Sequence, residues 1–244
     1  MFIDTPNLPN NKIKTALVDY RAEDAIAALE KLGIRVYTTP KTNIAYPAVS
    51  GHPDMLFHHI SATEAIVAPE VFEYFSRLFP HIKIISGKNK IGGTYPADVA
   101  YNVARINKRA FLNVKYTDER ILEYYKENCI ELINVKQGYS KCSICIVSEN
   151  AIITSDKKIA LRSTEYGFDA LCIREGYVKL KDFSYGFIGG ASGLISGEIL
   201  AFNGNIKKHP DYSDIKSFCR NHGVDVYSLH NKELEDIGSV IPCS

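Results

Sequence analysis

The chain of 244 residues contains no tryptophan, only 2 methionines and no excess of charge of either sign. Its 29 basic residues nearly balance 28 acidic ones, so there is no clustered positive field for nucleic acid or an anionic membrane. No run of about 18 apolar residues occurs, and the first residues lack a basic segment followed by an apolar one. We therefore expect a cytoplasmic protein with a small-molecule ligand or a protein partner, and with no nucleic-acid or membrane partner.

Cysteine is also sparse for a disulfide framework. The 6 cysteines are spread along the chain, which favours reduced thiols. Cys142 and Cys145 form a CxxC, but the run KCSICIVS has the pattern of a strand, where these side chains point to opposite faces, and no second CxxC follows. His58 and His59 are likewise neighbours on a predicted strand. The sequence thus predicts neither a metal site nor a cofactor.

The composition suits one closed domain over residues 1–244. Hydrophobic residues make up 45% of the chain, enough for a sizeable core, and barrels or other closed folds of roughly 200–250 residues are common as single domains. The sequence does not indicate the oligomeric state.

An internal repeat organises the chain. Short β-branched segments begin at Ile34, Ile82, Ile130, Ala170 and Val224, about 48, 48, 40 and 54 residues apart. Each follows a predicted helix, over 22–32, 69–78, 118–128, 157–166 and 213–221. Start and stop signals support these helices, such as Asp118 near a start and Gly33 after an end.

Hairpin-like pairs of strands precede four of these helices, with tight turns at 62–63, 107–108, 149–150 and 196–197. Before the first helix there is only one strand, KTALVDY. The last segment, SVIPCS, is predicted to supply the missing partner. The fold class is therefore α/β, with five strand–strand–helix–strand units in a five-bladed ring that the C-terminal strand closes, which leaves no open edge in the ring.

The repeat also aligns residues. Each hairpin opens with a short segment, and units related by rotation bring these openings to one axis. The openings are HPDM, PADV, YSKC, FIGG and IPCS. The residues predicted to line one central pocket are Asp54, Asp98, Tyr139 to Cys142, Gly189, Gly190 and Cys243.

These segments resemble the pentein superfamily of guanidino-group-modifying enzymes, whose fold is a five-bladed ββαβ propeller, and in particular the dimethylarginine dimethylaminohydrolases. The run ELEDIGSVIPCS resembles the segment that carries their catalytic cysteine, which maps to Cys243. HPDMLF and GTYPADV resemble two segments with substrate-binding aspartates, which map to Asp54 and Asp98. The resemblance fails where Tyr139 stands at the position of the family's histidine and Tyr116 at that of a substrate-binding arginine.

The resemblance implies a cysteine-dependent hydrolase of C–N bonds in guanidino or amidino compounds. Cys243 would attack the central carbon, and Asp54 and Asp98 would hold the cationic nitrogens. A proton donor for the leaving amine is also needed, and the candidates are His52, Tyr139 and Lys141. Because Tyr139 replaces the histidine, we expect slow turnover.

Each of these residues could also have a purely structural role. Cys243 is either this nucleophile or a buried core thiol, and the aspartates are either ligands or turn and cap residues. Lys141 at the axis would lower the pKa of a neighbouring thiol or repel a cationic substrate. Gly189 and Gly190 are predicted to let the backbone approach a ligand closely. The alternative function is a non-catalytic pentein that binds a small cation or a protein partner.

Overall fold

The computed structural model describes residues 1–244, and its strands form five separate sheets of three strands each. The strands are β1 (Thr15–Val18), β2 (Arg35–Thr38), β3 (Phe57–Ser61), β4 (Glu64–Val67), β5 (Lys83–Ser86), β6 (Ala104–Ile106), β7 (Arg109–Leu112), β8 (Glu131–Asn134), β9 (Cys145–Ser148), β10 (Ala151–Thr154), β11 (Asp169–Cys172), β12 (Ser192–Ser196), β13 (Ile199–Phe202), β14 (Asp225–Ser228) and β15 (Ile241–Pro242). The helices are α1 (Glu23–Lys31), α2 (Pro53–Leu56), α3 (Phe72–Leu78), α4 (Glu119–Glu127), α5 (Ser140–Ser143), α6 (Lys157–Glu165) and α7 (Tyr212–Asn221), with short 3-10 turns at Pro69–Val71 and Ile206–Lys208.

All five sheets have the same mixed topology. Their strand orders are β15-β1-β2, β3-β4-β5, β6-β7-β8, β9-β10-β11 and β12-β13-β14. In each, the central strand pairs antiparallel with the first strand and parallel with the third. A helix, α1, α3, α4, α6 or α7, connects the central strand to the third. The predicted repeat of strand, strand, helix and strand is therefore present in the chain.

The third strand of each sheet starts within one residue of its predicted position, because a reversal fixes where the preceding helix ends. After α1, α6 and α7 the chain turns through Gly33, Gly167 and Gly223, all in the left-handed region with φ of 77°, 76° and 74°. After α4 the same conformation falls on Cys129, with φ of 52°. A residue other than glycine is strained there, so this one turn lacks the usual sequence signal.

The C-terminal segment supplies the missing strand of the first sheet, as predicted. Leu17 pairs with Ile241 and Ala16 with Pro242, antiparallel. The Cys243 amide donates to the Thr15 carbonyl at 3.0 Å. Strands β9, β12 and β15, each the first of its sheet, also contact one another in that order.

The first strands of all four predicted hairpins start later than expected, and at two of them a short helix that contributes to the site takes the place of the strand start. Residues 140–143 form α5 instead of the start of a strand, and β9 begins only at Cys145. The turn is fixed by Asn102, whose Oδ1 accepts from the Lys141 amide at 2.7 Å and the Cys142 amide at 3.3 Å. In the same way Pro53 opens α2 before β3. Periodicity alone does not reveal these short turns, because a distant side chain stabilises one of them.

Buried hydrophobic residues form four clusters, of 27, 16, 11 and 10 residues, between the sheets and their helices. The largest contains the aromatic residues Phe57, Phe75 and Tyr125 and extends to Cys243. None of the helices is long and apolar enough to cross a membrane.

Candidate active site

Segments that precede the first strands of four sheets meet in one buried polar cluster. They are α2, α5, the glycines before β12, and residues 236–239 before β15. The cluster consists of His52, Asp54, Lys141, Cys142, Asp236 and Ser239, none of them more than 6% exposed. The structure thus joins His52, Asp54 and Lys141, three residues chosen from the sequence, to Cys142 from the predicted pocket lining and to two residues that were not predicted.

Asp54 lies at the centre of this cluster. Its Oδ2 accepts a hydrogen bond from the Cys142 thiol at 3.1 Å and another from the Ser239 hydroxyl at 2.9 Å. Its Oδ1 is buried and has no partner. A buried carboxylate oxygen without a donor is unfavourable, so this atom is available to a ligand N–H group.

Cys142 is the thiol beside this carboxylate. Burial, followed by the negative charges of Asp54 and Asp236, raises the pKa of the Cys142 thiol well above its ordinary value. His52 lies next to it, since one ligand atom each from His52, Asp54 and Cys142 falls within 4.8 Å of the others. These donor types could also hold a metal ion, so the predicted absence of a metal site stays a prediction.

His52 lies beside Asp236. The His52 Nδ1 is 3.7 Å from the Asp236 Oδ1 and, like the free oxygen of Asp54, has no hydrogen-bond partner. The Asp236 carboxylate is held by the amides of Phe187 at 2.9 Å and Gly238 at 3.0 Å. Burial raises the pKa of Asp236, while the nearby His52 acts in the opposite direction.

Lys141 points its ammonium group into the cluster. Its Nζ donates to the Ser239 Oγ at 2.9 Å, and the side chain is buried. Burial lowers the pKa of Lys141, against the effect of Asp54, whose negative charge raises it. The ammonium is the one lysine or arginine charge in the cluster, opposite the carboxylates of Asp54 and Asp236.

Asp98 and Tyr139 form a separate pair at the start of α5. The Tyr139 hydroxyl donates to the Asp98 Oδ2 at 2.8 Å, and the other Asp98 oxygen is buried without a partner. Burial raises the pKa of both groups, and for Tyr139 the hydrogen bond to Asp98 raises it further. The Tyr139 ring also contacts the rings of Tyr95 and Phe187, with centroids 5.6 and 6.2 Å away.

Cys243 lies in the largest apolar cluster, and its thiol donates a long contact of 3.6 Å to the Ile241 carbonyl. Burial raises the pKa of this thiol to about 12. Its role as nucleophile stays a prediction, and the one group that acts to lower the pKa of this thiol is the Leu17 backbone.

Gly189 and Gly190, which lie just before β12, pack closely against the cluster. An added Cβ on Gly190 would lie 1.9 Å from the Asp236 Oδ1, and one on Gly189 would lie 2.5 Å from the Lys141 carbonyl oxygen. Glycine is therefore required here for close backbone packing.

A cavity of about 10 Å³ adjoins Asp54, Lys141 and Ile241, which is room for about one water molecule. His58 and His59 lie beside it but are hydrogen-bonded, to the Tyr125 hydroxyl at 2.5 Å and the Ser61 carbonyl at 2.8 Å. Ligand entry therefore requires neighbouring side chains to move.

Asp236 and Ser239 do not follow from the sequence pattern when IPCS is the predicted opening of the last unit. In the other units the opening lies just before the first strand, as Gly189 and Gly190 do before β12. The same spacing before Ile241 selects DIGS, residues 236–239. The sequence does not single out Cys142 as a reactive residue, because the run 141–148 predicts one strand.

Comparisons with known proteins agree with this architecture. Residues 17–241 match the model of a family described as a family of unknown function, DUF6873. No functionally curated protein matches the chain.

Solved structures with low identity share the fold. A mutant DDAH from Pseudomonas aeruginosa, complexed with citrulline, has a TM-score of 0.57 at 11% identity, covering 88% of this chain and 91% of its own. The inosamine-phosphate amidinotransferase StrB1 from Streptomyces griseus gives 0.55 at 11%, covering 94% and 92%. The agmatine deiminase of C. jejuni gives 0.54 at 7%, covering 94% and 90%. The chain belongs to the DUF6873 family, and its fold is that of the pentein superfamily.

Proposed function

We propose that the protein binds a guanidino or amidino cation at the Asp54 cluster and hydrolyses one of its C–N bonds, with Cys142 as the nucleophile. The observation that carries the proposal is the position of the Cys142 thiol, hydrogen-bonded to Asp54 and adjacent to His52. A nucleophilic thiol needs a neighbouring base and a charge partner, and a planar cation is bound best by carboxylates.

The cation would itself activate the thiol. Burial, and after it the charges of Asp54 and Asp236, hold the pKa of the Cys142 thiol high. A guanidinium bound to the free Oδ1 of Asp54 adds a positive charge beside the sulfur and lowers that pKa. The proton would pass to His52, the thiolate would attack the central carbon, an amine would leave, and water would release the urea-type product.

Among the cysteines, Cys243 was the sequence-based choice, and the environment favours Cys142. The Cys243 thiol contacts backbone groups of Ile241 and Leu17 among apolar side chains, whereas the Cys142 thiol shares the Asp54 carboxylate with the Ser239 hydroxyl. The fold comparisons are consistent with guanidino chemistry, since those neighbours include a dimethylarginine dimethylaminohydrolase and an agmatine deiminase.

Binding without turnover is the second candidate. It is favoured by Tyr139, whose hydroxyl is bound to Asp98 and whose pKa is raised well above its ordinary value, so that it is a poor base at neutral pH. The buried Asp98 Oδ1, which has no partner, is then proposed as a second carboxylate oxygen for the cation, a role that stays a prediction.

Calorimetry and product assays separate these candidates, with arginine, methylated arginines and agmatine as ligands. We expect binding heat in the parent and in Cys142→Ala, and none in Asp54→Ala. Release of ammonia or amine should be lost in Cys142→Ala and retained in the matched control Cys243→Ala. Binding heat without release of ammonia or amine in the parent would show that the protein binds the cation and does not hydrolyse it. Absence of heat, or release that needs Cys243 and not Cys142, would refute the proposal.

We also propose that the five sheets surround one pseudo-fivefold axis that passes through this cluster. The shared topology of the sheets and the contacts of β9 with β12 and of β12 with β15 support a ring. A ring explains why the segments before these first strands converge although they are far apart in the sequence.

A further inference from the structure

Ser239 has an unusual backbone for its residue type. Its φ is 77°, directly after Gly238 at 69°, so two successive residues lie in the left-handed region. Serine in this conformation is strained, and such strain persists where the surrounding structure fixes it, often at functional sites. Here the Ser239 amide donates to the Gly190 carbonyl at 2.7 Å and Asp236 holds the Gly238 amide at 3.0 Å. The conformation directs the hydroxyl into the polar cluster.

The Ser239 hydroxyl connects the ammonium of Lys141 to the carboxylate of Asp54. It accepts from the Lys141 Nζ at 2.9 Å and lies 2.9 Å from the Asp54 Oδ2 and 3.0 Å from the Gly189 carbonyl. The same carboxylate oxygen accepts from the Cys142 thiol. Since a hydroxyl can accept one proton and donate another, an unbroken series of hydrogen bonds joins Lys141 to the nucleophile.

We infer that Lys141 is the proton donor for the leaving amine and that Ser239 relays its proton, in place of an acid at the Tyr139 position. This inference rests on the proposed function. The groups that face the Lys141 ammonium are Asp54, Asp236, Cys142 and Cys145, and the burial that lowers the pKa of Lys141 makes it a stronger acid than a solvated lysine.

After the Cys142 thiolate has attacked, the bond from carbon to the leaving nitrogen breaks, and that nitrogen takes the proton of the Ser239 hydroxyl. The oxygen regains a proton from the Lys141 ammonium, and the amine leaves neutral while the cationic thiouronium stays on Cys142. Water then adds to that carbon and the thiol leaves, with one proton of the water going to the sulfur and the other to Lys141. The proton that His52 took from Cys142 passes to the released amine, which becomes an ammonium ion.

The first test needs no turnover. The rate at which a neutral alkylating reagent modifies Cys142 is measured against pH by peptide mapping, in the parent, Ser239→Gly, Lys141→Met and the double variant. Both single variants should move the midpoint to higher pH, because each removes a group that stabilises negative charge near the sulfur. The double variant should shift it by less than the two single shifts together, because Lys141 acts through Ser239. Unchanged midpoints, or purely additive shifts, would overturn the inference even if the parent proved inactive.

The second test compares leaving groups. Ser239→Gly should slow kcat at least about tenfold with a methylated arginine, whose amine must be protonated. It should change kcat little with an S-alkyl isothiourea, whose thiolate leaves without a proton. Glycine suits a φ of 77°, which offsets part of the cost of losing the buried hydroxyl, and Ser239→Ala serves as the second variant without the hydroxyl. Equal losses with both substrates would show a structural role instead.

Discussion

At the scale of single residues, polar groups are buried in two ways. In the Asp54 cluster some atoms have no partner, namely the Asp54 Oδ1 and the His52 Nδ1. In strand β3, by contrast, His58 and His59 are hydrogen-bonded through one ring nitrogen each and are excluded from solvent. The first arrangement leaves polar atoms free to form hydrogen bonds with a ligand. The second stabilises the fold only while the imidazoles stay neutral.

Acid should therefore destabilise the protein through these two histidines. Burial lowers the pKa of both from 6.5 to about 3, so between these values the unfolded chain binds more protons than the folded one. Their contribution is complete above pH 6.5 and falls as the pH decreases. We expect a loss of about 2 kcal/mol per histidine between pH 6.5 and pH 5.

Urea unfolding at both pH values measures this loss. The double variant His58→Gln, His59→Gln keeps a donor at each position but does not titrate, so its loss should be smaller by most of that amount. His81→Gln, at an exposed position, is the control and should behave like the parent. An equal loss in the double variant and the parent would show that other groups cause the acid sensitivity.

At the scale of elements, the helix starts are stabilised to different degrees. Asp156 caps α6 and accepts from the amides of Lys158 and Ile159. Asp118 caps α4 through Arg120 and also accepts from the amides of Lys88 and Asn89 in the loop after β5, at 2.8 and 2.7 Å. Asp118 thus ties two units of the repeat together.

Asp118→Ala should accordingly cost more than Asp156→Ala. Loss of an ordinary cap costs about 1 kcal/mol. Removal of Asp118 also leaves the amides of Lys88 and Asn89 without their acceptor, which raises the expected cost to about 2–3 kcal/mol. Chemical denaturation of both variants measures the difference, with Asp156→Ala as the matched control. Equal costs would mean that water replaces the carboxylate at the loop amides.

The sequence predicts elements well where the signal is local. Helices α1 and α6 lie within one residue of their predicted limits because a short apolar pattern and a glycine turn define each of them. The sequence does not predict α5, because Asn102 from another unit holds that turn.

The site was predicted only in part, because some of its residues have a local sequence signal and others do not. His52, Asp54 and Lys141 follow from aligned openings, whereas Ser239 depends on a backbone conformation that composition does not reveal.

At the scale of the whole molecule, the first sheet differs from the others because its strands come from both ends of the chain. Removal of residues 239–244 should therefore destabilise the whole protein. It deletes β15, exposes one edge of β1 and removes the buried Val240 and Ile241 side chains from the core. We expect a fall of at least about 6 °C in Tm, at roughly 2–4 °C per kcal/mol for this size.

Thermal melting by circular dichroism measures this fall. Ser244→Ala is the control, since it removes the hydroxyl that contacts Thr15 but keeps the backbone of the last strand. It should melt within about 2 °C of the parent, because one partly exposed hydroxyl contributes little. A truncated chain that melts like the parent would show that β15 adds nothing to stability.

The termini are adjacent, since the Ile3 amide donates to the Cys243 carbonyl at 2.6 Å. A short Gly-Ser linker can therefore join Ser244 to Met1, and new ends can be made between Lys181 and Asp182, which are both exposed. In this permutant every sheet is built from one continuous segment, so the first sheet no longer requires the two ends of the chain to meet. Because folding slows as contacts become more distant in sequence, the permutant should refold several-fold faster than the parent, with a similar Tm.

Stopped-flow tyrosine fluorescence is a suitable probe of the refolding rate, as the chain has 15 tyrosines and no tryptophan. A permutant opened between Asn107 and Lys108 is the matched control, because β6 and β7 then come from opposite ends as β15 and β1 do in the parent, and it should refold at about the parent's rate. If the first permutant folded more slowly than the second, closure of the first sheet would not limit folding.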